Sequence, residues 1–426
     1  MRSVDEQLAR VLQAAVVPRP VRVAISEAQG LLCAEEVVTE RPLPGFDQAA
    51  IDGYAVRAVD VQLPKSTPAG ALAPAPADDE GPGAVVLPVV GEVSAGSRQP
   101  VRLQPRQAVR VDTGAPLPTL ADAVLPLAWT DGHAARVTVT SGVRSGDFVR
   151  HTGDDVQPGD VAVRSGTVIG AAQVGLLAAV GRDKVLVHPR PRMSVISVGG
   201  ELVDIDRTPG AGQVYDVNSY ALSAAARDAG ATVTRVGIAG GDPRRLREVV
   251  EGQLLRSEIV VIAGAVGGGA SEQVREVLAD LGEVAVDRVA MHPGSVQGFG
   301  RLGAELVPTF LLPANPVSAL VVFEVMVRPL VRVALGKRNP RRRLVTARTV
   351  GPVTSIAGRR GYLRGQLMRD EKTDEYLVQA LGGAPGSSSH LLATLADANC
   401  LVVVEEDATE VRTGDEVQVV FLAQRD

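Results

Sequence analysis

The chain has 426 residues, 45% hydrophobic and 22% charged, enough for two to four domains with cores of their own, which excludes a disulfide-stapled miniprotein or a disordered tail. A net charge of -5 supplies no global positive field and aromatic residues make up only 3%, so few rings exist for base stacking and no nucleic-acid partner is expected. Cys33 and Cys400 lie far apart and form no CxxC pair, which fits a reducing compartment and argues against a cysteine zinc site.

The opening lacks a basic start followed by an apolar run, and no uncharged apolar stretch reaches 18 residues, so a cytoplasmic protein without a transmembrane segment is expected. Val4, Leu8, Val11, Leu12 and Ala15 have helical spacing, which predicts an N-terminal helix over 4–16, stopped at Pro18. Short β-rich runs follow at 84–88, 107–112, 123–127 and 136–140, separated by Pro and Gly, the pattern of a small β module. Residues 64–83, rich in Ala, Pro, Gly and Asp, are expected to be a mobile surface loop within it.

From Met193 strands and helices alternate: 193–198, 218–229, 233–239, 242–255, 259–263, 271–281, 284–290, 309–312 and 316–335. Such alternation predicts a mainly parallel sheet with helices on both faces, and a ligand site beyond the carboxyl ends of its strands. Glycines cluster where those ends are expected, at 199–200, 240–241 and 264–269. After the basic link 337–343 the pattern returns to strands at 343–348, 363–369, 400–404 and 416–421.

The segment 264–272 (GAVGGGASE) follows an apolar strand and opens a helix, so free backbone N–H groups there could cradle a phosphate, although an unliganded connection reads the same way. Asp242-Pro243 and Asn315-Pro316 have the form of helix N-caps followed by proline. Acidic residues beside glycines, at 52–53, 153–155 and 200–201, are ordinary turn chemistry that could also gather carboxylates for Mg²⁺. The five histidines show neither HxxxH nor HExxH spacing, so no zinc site is expected.

Together these segments resemble a known family. Residues 44–56 (PGFDQAAIDGYAV), 113–118 (TGAPLP) with 121–124 (ADAV), 150–159 (RHTGDDVQPG), 212–218 (GQVYDVN) and 312–318 (LPANPVS) follow, in order, the motifs of the molybdopterin molybdotransferase (MoeA) and gephyrin E-domain family. The resemblance implies a multidomain α/β plus β fold: an elongated four-domain subunit with a parallel-sheet, MogA-like α/β domain and a C-terminal β-barrel. On that plan residues 1–20 form a helix packing on the α/β domain, 21–43 and 140–170 a connector, 44–139 the β module, 171–336 the α/β domain and 337–426 the barrel.

The resemblance also implies a homodimer that inserts molybdate into adenylated molybdopterin with Mg²⁺ and releases AMP. It places Asp52, Asp155, Glu201, Asp242 and Glu272 at acidic positions of the site, with Glu201, Asp242 and Glu272 toward the metal. Gly199, Gly267, Gly268, Gly269, Arg288, His292 and Pro313 fall at the pterin nucleotide, and Arg364 and Ser389 at molybdate. The chain departs from the family at Gly200, which replaces an acid, and at 292–296 (HPGSV), where two lysines become His292 and Ser295. A neutral histidine replaces a lysine poorly at phosphate. Those losses raise an alternative, a catalytically weakened gephyrin-like divisome scaffold (Glp) that binds the C-terminal tail of FtsZ between the α/β and C-terminal domains.

Overall fold

The computed structural model describes residues 1–62, 85–98, 101–240, 242–267, 269, 271–382 and 391–422. The expected loop 64–83, together with Gly268 and Ser389, lies outside the described residues. Contacts divide the chain into two units, Met1–Val21 with Leu186–Asp426, and Arg22–Val185.

The first unit is built on a six-stranded sheet. Its order is Thr232–Ile238, Arg192–Ser197, Ile259–Val266, Val307–Pro313, Val296–Leu302, Gly282–Arg288. The first four strands run parallel, and the last two form an antiparallel flank. Alternating side chains separate two cores. Val195, Val261 and Phe310 point to one face, where Leu222, Phe323 and Leu330 cover them. Ile196, Ile262 and Leu311 point to the other, under Leu246, Val250 and Val274. Each fully buried aliphatic or aromatic side chain contributes about 1.5–3 kcal/mol, so neither layer of helices can be stripped without losing the sheet.

The N-terminal helix, Val4–Leu12, is shorter than its apolar spacing predicts and seats Val4, Leu8 and Val11 in the first of these cores. Ser3 and Glu6 close a reciprocal capping box at its start, with distances of 3.1 and 2.8 Å. The region 316–335, expected as one helix, is three pieces: Pro316–Val322, a π-turn at Phe323–Val327, and Arg328–Ala334. Pro329 explains the break, because it offers no N–H and its ring crowds the carbonyl four residues earlier, which the wider turn accommodates.

The C-terminal strands Leu344–Thr349, Arg360–Arg369, Tyr376–Ala380, Cys400–Val404 and Glu416–Phe421 pair in a ring, which the contact of Arg360–Arg369 with Cys400–Val404 closes. This is a closed five-stranded barrel around Leu367, Val378, Val402 and Val419. Met291–His292 adds to it in parallel at Arg360 and Gly361.

The second unit holds a five-stranded sheet ordered Ala123–Pro126, Gly53–Val56, Ala108–Val111, Val85–Val93, Arg136–Val139. Val37–Val38 pairs with Val161–Val163, and Gln48–Ala49 with Val149–Arg150. The helix Ala171–Ala179, expected at the head of the α/β domain, belongs instead to this unit, where it packs on Val161–Val163 and Ile25–Glu27. Its apolar pattern predicts a helix without saying which body it joins.

Candidate functional site

Four parallel strands bring their carboxyl ends together. Ser197 stands in register with Ile238 and Ala263, Ala263 with Leu312, and Val266 with Pro313. Beyond these ends the backbone carries almost no side chains. Gly264 has φ +82°, and a Cβ there would stand 2.1 Å from the Val198 carbonyl oxygen. A Cβ on Gly240 would lie 3.3 Å from the Gly199 carbonyl oxygen, and one on Gly199 would lie 2.7 Å from a Glu201 carboxylate oxygen. The result is a shelf walled by main chain, with the Glu201 carboxylate folded against it.

Among the described residues four helices start at this end of the sheet, three of them with a side-chain cap. Asp216 caps Val217–Ala229 by accepting from Ser219 N at 3.0 Å. Asn315 caps Pro316–Val322 through Ser318 N at 3.1 Å, and Asp242 caps Pro243–Leu254 through Arg244 N at 3.0 Å. The Asp242 carboxylate is thus engaged as a cap, as the Asp-Pro pattern allows. Glu272 is exposed in the first turn of Ser271–Ala279. Among the described residues no group of three or more His, Cys, Asp or Glu side chains is placed to hold a metal ion, so Glu201, Asp242 and Glu272 are not gathered into a three-carboxylate set.

Two residues of the 212–218 motif have roles that sequence reading did not assign. Asp216 is buried, accepts from Ser197 Oγ at 2.7 Å and receives the Ser219 hydroxyl as well. Asn218 donates its amide to the Ala314 carbonyl at 2.8 Å and so ties this helix to the loop after Pro313. Its buried Oδ1 has no hydrogen-bond partner among the described residues. The motif signalled that these positions matter, but only the fold shows what they touch.

The cationic positions are dispersed. Arg288 is exposed at the end of the sheet's antiparallel edge, where its carbonyl accepts from Arg2 N at 3.0 Å. Ser295 donates its hydroxyl to the Val289 carbonyl at 3.0 Å. Arg364 is buried in the barrel wall and donates to the Leu391 carbonyl at 2.8 Å, with burial lowering its pKa.

His292 is half-buried, and its pKa is pushed down by burial and then by the Arg359 charge. The unfolded chain therefore takes up this proton first. The contribution to stability is full above about pH 6.5, the unperturbed value, and is lost as pH falls through the depressed folded-state value. His292→Gln should flatten the acid side of the stability profile below about pH 6.5, read from urea midpoints. An acid limb identical to wild type would contradict this assignment.

Asp52 and Asp155 lie in the Arg22–Val185 unit. Asp52 accepts from Thr113 N at 2.7 Å and Thr113 Oγ1 at 2.8 Å, which hold its carboxyl below the usual range. Asp155 is exposed, and its N–H donates to the Leu43 carbonyl at 3.0 Å. Asp47 accepts from both Thr152 N and Thr152 Oγ1 at 2.8 Å. The motifs at 44–56, 113–118 and 150–159 thus meet in one cluster of turns.

A separate groove of about 130 Å³ runs between the N-terminal helix, the π-turn and the barrel, floored by Val4, Leu8, Pro329, Tyr362, Val403 and Val420. Its arginines are paired: Arg341 and Arg360 reach Asp5 at 3.1 and 3.0 Å, and Arg342 reaches Glu324 at 2.8 Å. Glu324, Val325 and Pro329 line this groove, and the segment 391–398 does not.

The first unit is thus a parallel α/β sheet with a glycine-lined strand end, followed by a closed barrel. Family profiles agree along the chain: "MoeA N-terminal region (domain I and II)" matches residues 2–181, "Probable molybdopterin binding domain" 194–333, and "MoeA C-terminal region (domain IV)" 346–422. The chain is 72% identical over 424 residues to molybdopterin molybdenumtransferase 1 of Mycobacterium tuberculosis, covering 100% of both chains. It is 37% identical to molybdopterin molybdenumtransferase 2 of the same species, covering 98% of this chain and 99% of that one. The crystal structure of a molybdopterin biosynthesis MoeA protein from Pyrococcus horikosii superposes with a TM-score of 0.79 at 30% identity, covering 99% of each chain. The chain belongs to the MoeA family.

Proposed function

We propose that this chain is a molybdopterin molybdotransferase, which inserts molybdate into adenylated molybdopterin and releases AMP. The observation that carries the reading is the glycine-lined strand end, where among the described residues nothing stands within 4 Å of a would-be Cβ at Gly200, Gly267 or Gly269. The name of its 72% identical relative supports the same chemistry. Backbone N–H groups of 264–267 and 269, close to the start of the Ser271–Ala279 helix, are the phosphate holders on this reading. Arg288 supplies a cation, and Pro313 and Asn315 shape the wall beside the ligand.

Mg²⁺ takes few protein ligands, often one or two carboxylates completed by water and substrate phosphate oxygens. The exposed Glu201 carboxylate against the shelf fits that requirement, while Asp242 is engaged by its helix. When bound, the ion offsets charge that builds on the leaving phosphate. Arg364 and Ser389 are proposed for molybdate, and a homodimer as the working form; Asp52 and Asp155 are proposed as functional acids of the Arg22–Val185 unit. No helix among the described residues is long and apolar enough to cross a membrane; action in the cytoplasm is part of the proposal.

The test is direct: purified protein with adenylated molybdopterin, Mg²⁺ and molybdate should release AMP in step with metal insertion. Binding of the nucleotide without any AMP release would sink the catalytic reading. A second role, holding the C-terminal tail of FtsZ, draws only on the apolar floor of the groove beside Asp5, since the arginines at its rim are paired with acids.

A further inference from the structure

The loop 198–216 carries Glu201 near its start, and both of its ends are tied down. Glu201 O accepts from Val214 N, and Val203 O from Asp216 N, each at 2.9 Å, so Leu202–Val203 and Val214–Tyr215 run as a short parallel ladder. At the far end Asp216 is fixed by Ser197 and Ser219. Directly after the ladder's first strand, Asp204 accepts from the Tyr220 hydroxyl at 2.6 Å and from the Arg235 guanidinium at 3.2 and 3.3 Å.

Arg235 connects the two ties. The same nitrogen that meets Asp204 lies 3.1 Å from Ser219 Oγ, which itself donates to Asp216. The guanidinium also stacks 4.0 Å over the Tyr220 ring, a favourable cation–π placement. Arg235 and Asp204 are 28% and 33% exposed, and both guanidinium nitrogens converge on one Asp204 oxygen while Tyr220 takes the other.

The strand is deformed at this arginine. Val195 pairs with Arg235, but Ile196 pairs with Gly237, leaving Val236 as an extra residue. Gly237 has φ +82°, and a Cβ there would lie 3.3 Å from the Arg235 guanidinium and 3.9 Å from the Asp204 carboxylate. Bulges of this kind re-aim side chains beside functional sites. This one delivers a cation across the strand end to the loop bearing Glu201.

We infer that Arg235, with Asp204 and Tyr220, is a positioning group that fixes the Glu201 loop at the shelf and thereby sets the site's hold on Mg²⁺. The inference rests on the proposed role of Glu201. Arg235 acts through the loop and needs no contact with substrate.

Arg235→Gln removes the charge and the fork and keeps a polar side chain of similar reach. Hydrogen exchange on the full chain should then show amides 199–205 exchanging about tenfold faster, with those of Ile259–Val266 unchanged. In the AMP-release assay the Mg²⁺ requirement should rise about tenfold while KM for adenylated molybdopterin holds. Arg235→Lys restores the charge opposite Asp204 but not the fork or the stack, so it should fall between wild type and Arg235→Gln.

Unaltered exchange at 199–205, or equal acceleration across the whole sheet, overturns the inference, as does activity lost with an unchanged Mg²⁺ requirement. If wild-type protein releases no AMP, the functional reading has failed, and the exchange comparison still decides whether Arg235 holds the loop.

Discussion

Gly264→Ala should cost about 3 kcal/mol or more of folding stability, or leave the chain insoluble. Two penalties add. A non-glycine residue at φ +82° is in the left-handed region, which costs about 1–2 kcal/mol. The new methyl would also sit 2.1 Å from the Val198 carbonyl oxygen, and that segment cannot easily retreat, because Val198 N is bonded to Ala263 O at 2.9 Å. Relief therefore requires breaking the parallel ladder where the shelf begins. Gly267→Ala is the control, since it also has positive φ, +73°, yet no atom of the described residues lies within 4 Å of its would-be Cβ. That variant should lose only the conformational part, about 1 kcal/mol. Urea midpoints with an unchanged denaturant slope provide the comparison, and equal losses in the two variants would refute the close-approach argument.

How far the amino-acid sequence foretells this molecule depends on where the pattern is local. The strand–helix alternation after Met193 predicts the parallel core, because buried runs such as Ile259–Val266 are apolar throughout. Val296–Leu302 escaped that reading, as two glycines, Gly298 and Gly300, dilute its apolar pattern, although the strand pairs on both sides. Tyr376–Ala380 was missed because Gln379 and its short length hide the alternation. The π-turn at Phe323–Val327 has no sequence period of its own and is visible only through Pro329. In the site, the glycine clusters and Glu201 were legible as motif positions. The bond network of Ser197, Asp216, Ser219 and Arg235 joins residues up to 38 positions apart through a bulge, which no local pattern encodes. Asp242 shows the opposite case: its capping role was readable from Asp-Pro, and the structure gives its carboxylate that role.

Glu201→Ala should lower AMP release by about two to three orders of magnitude, the usual scale for removing one preorganised electrostatic element from such a site. Glu201 is exposed, and none of the structure's side-chain hydrogen bonds among the described residues is made by its carboxylate, so the loss should come without a matching fall in stability. Its main-chain carbonyl still accepts from Val214 N in the variant, which preserves the loop ladder. If the carboxylate serves Mg²⁺, the kcat deficit should be partly recovered by raising Mg²⁺, and Glu201→Asp should bind the ion with a shorter reach and intermediate rate. The FtsZ-tail reading separates cleanly at this residue, because the groove beside Asp5 is lined by none of the shelf residues. A peptide bound in that groove should therefore bind Glu201→Ala as it binds wild type. Full turnover in a folded Glu201→Ala protein would remove Glu201 from the chemistry, and the strand-end shelf would then have to act through its backbone and Arg288.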